Sequence, residues 1–182
     1  MVSPIQQALV DGEPDVDAVF RLTHRLPPDF RFDAVGSVAL SEGTWCPFNS
    51  QNTFWAREAF PLLYLPIHCS FRSTDIFRSL VAQRVAWQFG WKISFHPADM
   101  EQVRNPHDLM ADFCSEIPVY RDIQAIRTAL EKTVIDPSTS DPSQGLRACY
   151  ASLVQTGIFP REELALLDAW LSDLKRVRSS SE

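Results

Sequence analysis

The chain has 182 residues, of which 45% are hydrophobic and 22% charged, a balance typical of one globular domain with a sizeable core. Lysine and arginine number 17 against 23 aspartate and glutamate residues, which gives a formal net charge of −6. This acidic balance offers no basic surface to nucleic acid or to an anionic membrane. We therefore expect neither nucleic acid nor a membrane surface as a partner.

The sequence holds no apolar run of about 18 residues, and its first residues lack a basic stretch leading into an apolar one. We expect no membrane insertion by this chain and no secretory signal within it, so a cytoplasmic location is the default expectation. The four cysteines form no Cys-x-x-Cys pair, which predicts reduced thiols that are mostly buried.

The N-terminal third is predicted to contain little regular structure. Residues 1–33 include four prolines, which favour loops and short extended pieces over a long helix. A hairpin is predicted next, between a β-branched segment at Val35–Leu40 and a second segment at Trp45–Phe48. Alternation in Ile67–Phe71 predicts one more strand before the helical part of the chain begins.

Helices dominate the prediction from Thr74 onward. Thr74 is placed as the N-cap of a helix that starts at Asp75 and ends near Gly90, and the alternating residues Trp91–Phe95 predict a strand after it. Asn105 is placed as the N-cap of a second helix that runs to about Ile117. Further helices are predicted at Val119–Val134, at Leu146–Val154 and from Pro160 to the C-terminal region.

A turn-rich segment with two prolines divides the chain. Residues 136–145 are predicted to be a linker, because their composition suits turns and their length permits mobility. The predicted organisation is therefore a main portion at residues 1–135, the linker at 136–145 and a helical tail at 146–182.

The densest set of polar groups lies in three neighbouring segments, Trp45–Thr53, Ala59–Pro66 and Phe71–Arg84. They place side-chain amides, one aspartate and three arginines between aromatic and proline-containing stretches. Each buried amide or charge without a partner costs about 1–3 kcal/mol, so such a density favours a functional site over a plain core.

These segments, together with Pro14–Thr23 and Gln102–Met110, resemble the plant Golgi STELLO proteins and their relatives. A more distant similarity is to the reversibly glycosylated polypeptides, the UDP-arabinopyranose mutases, which have a similar Pro-Asp-x-Asp-Ala segment. The resemblance implies an α/β fold, namely the C-terminal portion of a GT-A-like nucleotide-diphospho-sugar transferase with a helical tail. No strand, Gly-rich turn and helix precede the matching segments, so we expect the chain to be only part of such a domain.

The resemblance further implies a glycosyltransferase that uses a nucleotide sugar, in particular a UDP-sugar, with Mg²⁺ or Mn²⁺, a glycan or protein acceptor, and a Golgi association. The alternative is a non-catalytic interaction protein that keeps the fold and scaffolds another glycosyltransferase or a cellulose-synthesising complex. A third reading is an α/β domain of unrelated function whose amide-rich loop is structural. Fold resemblance alone does not decide among them.

Asp75 is the predicted catalytic residue. Glycosyl transfer needs a carboxylate beside the sugar, either as general base for the acceptor hydroxyl or facing an oxocarbenium-like transition state. Its place at a helix start resembles the acidic residue that GT-A enzymes hold on the acceptor side. The alternative is a structural acid that the helix dipole stabilises and that pairs with Arg72 or Arg78.

Three residues are candidate metal ligands. Asp15 and Asp17 form the Asp-x-Asp string with which GT-A enzymes hold a divalent metal, and hard oxygen ligands suit Mg²⁺ or Mn²⁺. Because they follow a turn and not an apolar strand, a role in the turn is the alternative. His107 is the third candidate, since some GT-A enzymes complete the site with a histidine, whereas a surface histidine at a helix N-terminus is the alternative.

The predicted substrate-binding set combines groups suited to sugar hydroxyls, sugar rings and phosphates. Amides donate to and accept from hydroxyls, an indole offers a flat apolar face, and arginines clamp a diphosphate. The alternative is a loop that bonds its own backbone, with arginines paired structurally to nearby acids. The set consists of Trp45, Asn49, Gln51, Asn52, Arg72 and Arg78.

Overall fold

A mixed four-stranded sheet forms one side of the molecule. The computed structural model describes residues 2–27, 29–33 and 36–180. The strand order is β2-β4-β1-β3; the central pair is parallel, and each outer strand runs antiparallel to its neighbour. The strands are β1 (Ile5–Gly12), β2 (Val38–Ala39), β3 (Thr53–Trp55) and β4 (Ile93–Gln102).

Five α-helices and two 3₁₀ turns complete the described part of the chain. Asp108 caps α3 by accepting from the amides of Met110 and Ala111 at 3.1 and 3.0 Å, and Asp141 caps α4 in the same manner. The helices are α1 (Ala18–Thr23), α2 (Thr74–Gln88), α3 (Leu109–Lys132), α4 (Pro142–Gln155) and α5 (Glu162–Ser179), and the 3₁₀ turns are Arg57–Leu63 and Phe71–Ser73.

Helix α2 lies at the centre of the core. Residues Phe77–Gln83 are buried without interruption, so the helix is enclosed on all sides by α3, α4 and the first 3₁₀ turn. The same hydrophobic cluster includes residues from β1, α4 and α5, among them Ile5, Tyr150 and Leu167. Helix α2 is therefore anchored in the core from Phe77 onward, directly after its first turn.

The N-terminal region is more ordered than its prolines predict, because β1 and α1 both form within residues 1–33. β1 pairs on both sides, and its polar side chains find partners in neighbouring loops; Gln7, for instance, donates to Asn49. α1 is a six-residue helix that Asp17 caps by accepting from the amide of Phe20.

The predicted strands at Trp45–Phe48 and Ile67–Phe71 are wrong, and so is the predicted hairpin. Val38–Ala39 pairs with β4, while Cys46 and Phe48 donate their backbone N–H groups to the side chains of Gln83 and Ser79 on α2. Side chains of a buried helix thus take the place of a partner strand. Val35 lies outside the described residues. The segment Ile67–Phe71 is no strand either, since its first two amides bond to the carboxylate of Glu163.

The predicted helix at Asn105 and the separate helix at Val119 are wrong in their limits. Asp108 and not Asn105 is the cap, and one helix, α3, continues through Pro118 to Lys132. A proline removes only one backbone donor, and packing on α1 and α2 holds the helix across it. The predicted helices at α2, α4 and α5 and the strand after Gly90 are confirmed, although Ser73 and not Thr74 is the N-cap of α2 and α4 begins earlier, at Pro142.

The predicted division at residues 136–145 stays a prediction, but α4 and α5 beyond it share the core with α2. None of the helices in the described ranges is long and apolar enough to cross a membrane. The four cysteines are free thiols; Cys149 is buried, Cys46 and Cys69 are half-buried, and Cys114 is exposed, so they are less buried than predicted.

Candidate functional site

A cavity of about 400 Å³ opens between β1, the loop before β3, the N-terminal end of α2 and one face of α3. The parallel pairing of β1 with β4 shifts register between Ala8 and Val10, and both residues border the cavity. One part of the wall is apolar and the other is charged. The apolar residues include Leu9, Phe32, Phe48, Ile76, Val119 and Ile123, and the charged residues are Asp15, Asp17, Arg72, Asp75 and Glu116.

Asp75 lies in the first turn of α2 and lines the cavity. Its Oδ2 accepts a 2.8 Å hydrogen bond from the backbone N–H of Ser50, which fixes the carboxylate against the loop. Within the described residues, no group donates to Oδ1. One oxygen is therefore held and the other is available to a ligand, the arrangement that a positioned general base requires.

Arg78 supports the same loop from behind and does not line the cavity. Its Nη2 donates to Ser50 Oγ at 3.0 Å, and its guanidinium carbon lies 4.9 Å from the centre of the Trp55 ring. Burial lowers the pKa of Arg78, an effect that the nearby charge of Asp75 partly offsets. Because the residue is only 5% exposed, it stabilises the loop and is not free to clamp a phosphate.

Asn49 and Gln51 line the cavity, yet their amides bond largely to the protein itself. Asn49 accepts from Gln7 and donates to the carbonyl of Asp15 at 2.8 Å. Gln51 accepts from the amide of Asp15 at 2.8 Å and donates to Gln102 at 2.6 Å. These bonds tie the loop to β1, to β4 and to the segment before α1, so both residues shape the floor of the cavity.

Asn52 and Trp45 do not line the cavity. Asn52 adopts a left-handed backbone with φ 51°, and its Nδ2 donates to Asp99 Oδ1 at 2.7 Å. The Trp45 indole donates to Glu131 at 2.8 Å and packs on Trp87 with 4.5 Å between ring centres. The structure thus brings four of the predicted substrate and catalytic residues together, Asn49, Gln51, Arg72 and Asp75.

Glu116 and Tyr120 were missed in the sequence and form the wall opposite the loop. The buried Glu116 carboxylate accepts from Arg72 Nε at 2.8 Å, from the amide of Ala18 at 2.7 Å and from the Tyr120 hydroxyl at 3.2 Å. Tyr120 also donates to Asp17 Oδ1 at 2.9 Å. Their i, i+4 spacing on α3 is the one sequence signal that places both on a single helix face.

The charge states of this wall follow from its contacts. Burial opposes the charge of Arg72, but its hydrogen bond to Glu116 and the charges of Asp112 and Glu116 outweigh that effect and raise its pKa. Burial and the hydrogen bond to Asp17 raise the pKa of Tyr120. Arg72 is therefore a fixed cation and Tyr120 a neutral donor throughout the neutral pH range.

Each of the three predicted metal ligands contacts a different group of the protein. Asp15 Oδ1 is paired with Arg104 Nη1 at 2.6 Å, Asp17 caps α1, and His107 Nδ1 lies 3.2 Å from Asp112 Oδ2. Within the described part of the chain, no three histidine, cysteine or acidic side chains come together as a donor set. These residues as arranged do not fit a Mg²⁺ or Mn²⁺ site, which needs several oxygen ligands around one point.

The fold and the cavity define a mixed α/β domain with a carboxylate-bearing cleft of the size that holds small ligands. The family model for STELLO glycosyltransferases matches residues 72–180, so the chain belongs to that family and the predicted resemblance is confirmed. The similarity to UDP-arabinopyranose mutases stays a prediction.

Two curated relatives from Arabidopsis thaliana are similar to the chain. It is 28% identical over 185 residues to "Probable glycosyltransferase STELLO1", an alignment that covers 95% of this chain and 22% of that protein. It is 38% identical over 97 residues to "Probable glycosyltransferase STELLO2", covering 51% of this chain and 13% of that protein. The chain thus spans about a fifth, or less, of the length of these relatives.

Proposed function

We propose that this chain supplies the sugar-contacting part of a nucleotide-sugar-dependent glycosyltransferase with a GT-A-like architecture, and that Asp75 is its catalytic carboxylate. The observation that carries the proposal is the position of Asp75 in the cavity, with one carboxylate oxygen held by Ser50 and the other unbonded within the described structure. Family membership supports the general reaction. A UDP-sugar donor and a Golgi location belong to the proposal, and a divalent metal would be held by residues other than Asp15, Asp17 and His107.

In the proposed reaction, an acceptor hydroxyl attacks the anomeric carbon of the donor sugar. The new carbon–oxygen bond forms while the bond to the diphosphate breaks, and Asp75 Oδ1 takes the proton of the attacking hydroxyl. The Ser50 amide keeps the carboxylate oriented while the proton is transferred.

The proposal is tested by replacing Asp75 with asparagine. Asparagine keeps the shape and still accepts from Ser50, but it cannot take a proton, and loss of a general base typically lowers the rate by about 10²–10⁴-fold. The measurement is sugar transfer from UDP-sugars, with and without Mn²⁺, by the complete enzyme of which this chain is a part, as wild type and as the Asp75→Asn variant. Thermal unfolding of both provides the control, because a charge at a helix start contributes only about 0.3–1 kcal/mol.

Transfer at the wild-type rate by Asp75→Asn would make Asp75 a structural acid and contradict the proposal. A complete wild-type enzyme that transfers no sugar would favour the alternative, an interaction protein with a retained glycosyltransferase-like fold. The observation behind that alternative is that Asp15, Asp17 and His107 are each engaged by other side chains.

A further inference from the structure

We infer that the cavity receives an uncharged sugar ring and that the donor diphosphate lies outside it. This rests on the proposed function, and it concerns the chemical class of the group that enters the cavity. The sugar ring has two candidate sources, the acceptor and the sugar moiety of the donor, which present the same hydroxyl chemistry to the wall.

The charged residues of the cavity wall are predominantly acidic. Four carboxylates but only one guanidinium, that of Arg72, are found among the lining residues that the structure describes. Glu116 is paired with Arg72 and Asp15 with Arg104, whereas Asp17 forms no salt bridge with a described cation and Asp75 has only the longer-range charge of the buried Arg78 beside it. A diphosphate placed between these two carboxylates would be repelled, and like charges in a cleft of low dielectric interact strongly.

Several hydrogen-bonding atoms of the described wall residues are free to contact a ligand. Within the described residues, nothing bonds to Asp75 Oδ1, to Asp17 Oδ2 or to the Nη atoms of Arg72. Sugar hydroxyls donate to carboxylates and accept from a guanidinium, so one ring satisfies both kinds of atom. Ile76 and Val119, which are half-buried, supply the apolar surface that the carbon face of a sugar requires, in a volume suited to a small ligand.

The charges of the wall also favour a neutral sugar over an amine. An ammonium group would also suit Asp75 and Asp17, but it would meet the guanidinium of Arg72, whose pKa is raised by its pairing with Glu116. A wall that contains carboxylates and a fixed cation at once matches a ligand with hydroxyl groups and no net charge.

The experiment measures binding by the ¹⁵N-labelled chain in NMR titrations. The neutral probes are the methyl glycosides of glucose, galactose and arabinose; the charged probes are methyl glucuronide, glucosamine and UDP. At least one neutral glycoside is expected to shift the amides of Ser50 and Ile76, with methyl glucuronide binding about tenfold more weakly than the glucoside because of one like charge. Asp75→Asn should reduce the difference in affinity between the glucoside and the glucuronide. Asp173→Asn, at an exposed position of α5, should leave that difference unchanged.

UDP-glucose distinguishes the two sources. If UDP-glucose shifts the cavity amides while uridine alone shifts other amides, the donor sugar occupies the cavity. If only the free glycosides shift the cavity amides, the acceptor occupies it. Shifts of the same amides by UDP or glucuronide as strong as those by the glycosides, tighter binding of glucosamine, or no shift with any neutral glycoside would each overturn the inference. Glycoside binding by this chain, together with no sugar transfer by the complete enzyme, contradicts the proposed function alone.

Discussion

At the scale of single residues, the wall of the cavity contains two kinds of polar side chain. Asn49 and Gln51 each use the side-chain oxygen and one N–H in hydrogen bonds to β1, to β4 and to the segment before α1. Asp75 and Arg72 each keep at least one polar atom unbonded within the described structure. The first kind builds the cavity and the second kind is available for chemistry, a difference that residue type alone does not reveal.

Glu163 is a fully buried carboxylate that joins α5 to the segment before α2. It accepts from the Tyr64 hydroxyl, from the amides of Ile67 and His68 at 3.2 and 3.1 Å, and from His68 Nδ1. Burial and this hydrogen bond raise the pKa of Tyr64, so the phenol stays a neutral donor. Because this segment leads directly to Arg72 and Asp75, its anchoring also positions the cavity wall.

Glu163→Gln is expected to destabilise the protein by about 1–3 kcal/mol, since an amide nitrogen cannot accept and leaves buried donors without a partner. The measurement is the free energy of unfolding from denaturant titration at neutral pH. Glu162→Gln is the matched control, because the neighbouring acid is exposed and in the same helical turn. Equal stability of the two variants would show that the buried carboxylate does not anchor the segment.

At the scale of elements, α2 connects the core to the cavity. Its buried polar side chains, Ser79 and Gln83, accept from the backbone of the loop at residues 46–48, and its first turn presents Asp75. The loop is thereby attached to the helix that carries the carboxylate. On its other side α2 packs against α4 at Gly145, where an added Cβ would lie 3.1 Å from Val85 Cγ1.

Gly145→Leu is expected to lower the free energy of unfolding by about 1–3 kcal/mol, because a larger side chain overpacks the contact between α4 and α2. Leucine is a better helix former than glycine, so propensity alone would stabilise the variant by about 0.5–1 kcal/mol. Gln144→Leu is the control on the exposed face of α4. A Gly145→Leu variant that melts at or above the wild-type temperature would contradict the close packing.

Elements with a strong local signal could be predicted from the sequence. α5 combines a proline before its start, acids in its first turn and arginines in its last turn, and α2 ends before a glycine with φ 65°. β1 gave no such signal, because its polar residues find their partners only in the folded structure. The hairpin failed for a related reason, since Cys46 and Phe48 bond to side chains of a helix that lies 31 to 37 residues away.

The candidate site was predictable only in part, for the same reason. Asp75 and Arg72 follow from a polar helix start, whereas Glu116 belongs to the cavity because Arg72 and Ala18 meet it across long stretches of chain. Trp45 failed as a sugar platform because its indole packs on Trp87 of α2. Pairings between distant segments decide which polar residues face a ligand, and local pattern does not record them.

At the scale of the whole molecule, one hydrophobic core includes elements from both sides of the segment at residues 136–145. The family match also runs through this segment, from residue 72 to residue 180. Each fully buried large apolar side chain contributes about 1.5–3 kcal/mol to folding, against a total stability of about 5–15 kcal/mol for a typical domain. The core residues beyond the segment include Leu146, Tyr150, Leu153, Phe159 and Leu167.

Deleting residues 136–182 is therefore expected to abolish cooperative folding of the remaining chain, because α2 and the first 3₁₀ turn lose the surface of α4 against which they pack. The measurement is thermal unfolding followed by near-ultraviolet circular dichroism, which reports the fixed packing of the tryptophans. The control deletion removes only residues 176–182 and keeps the buried residues Glu163, Leu167 and Leu171. A shortened chain that unfolds cooperatively near the wild-type temperature would instead establish residues 1–135 as a domain with an appended helical tail, and the cavity would then be complete without α4 and α5.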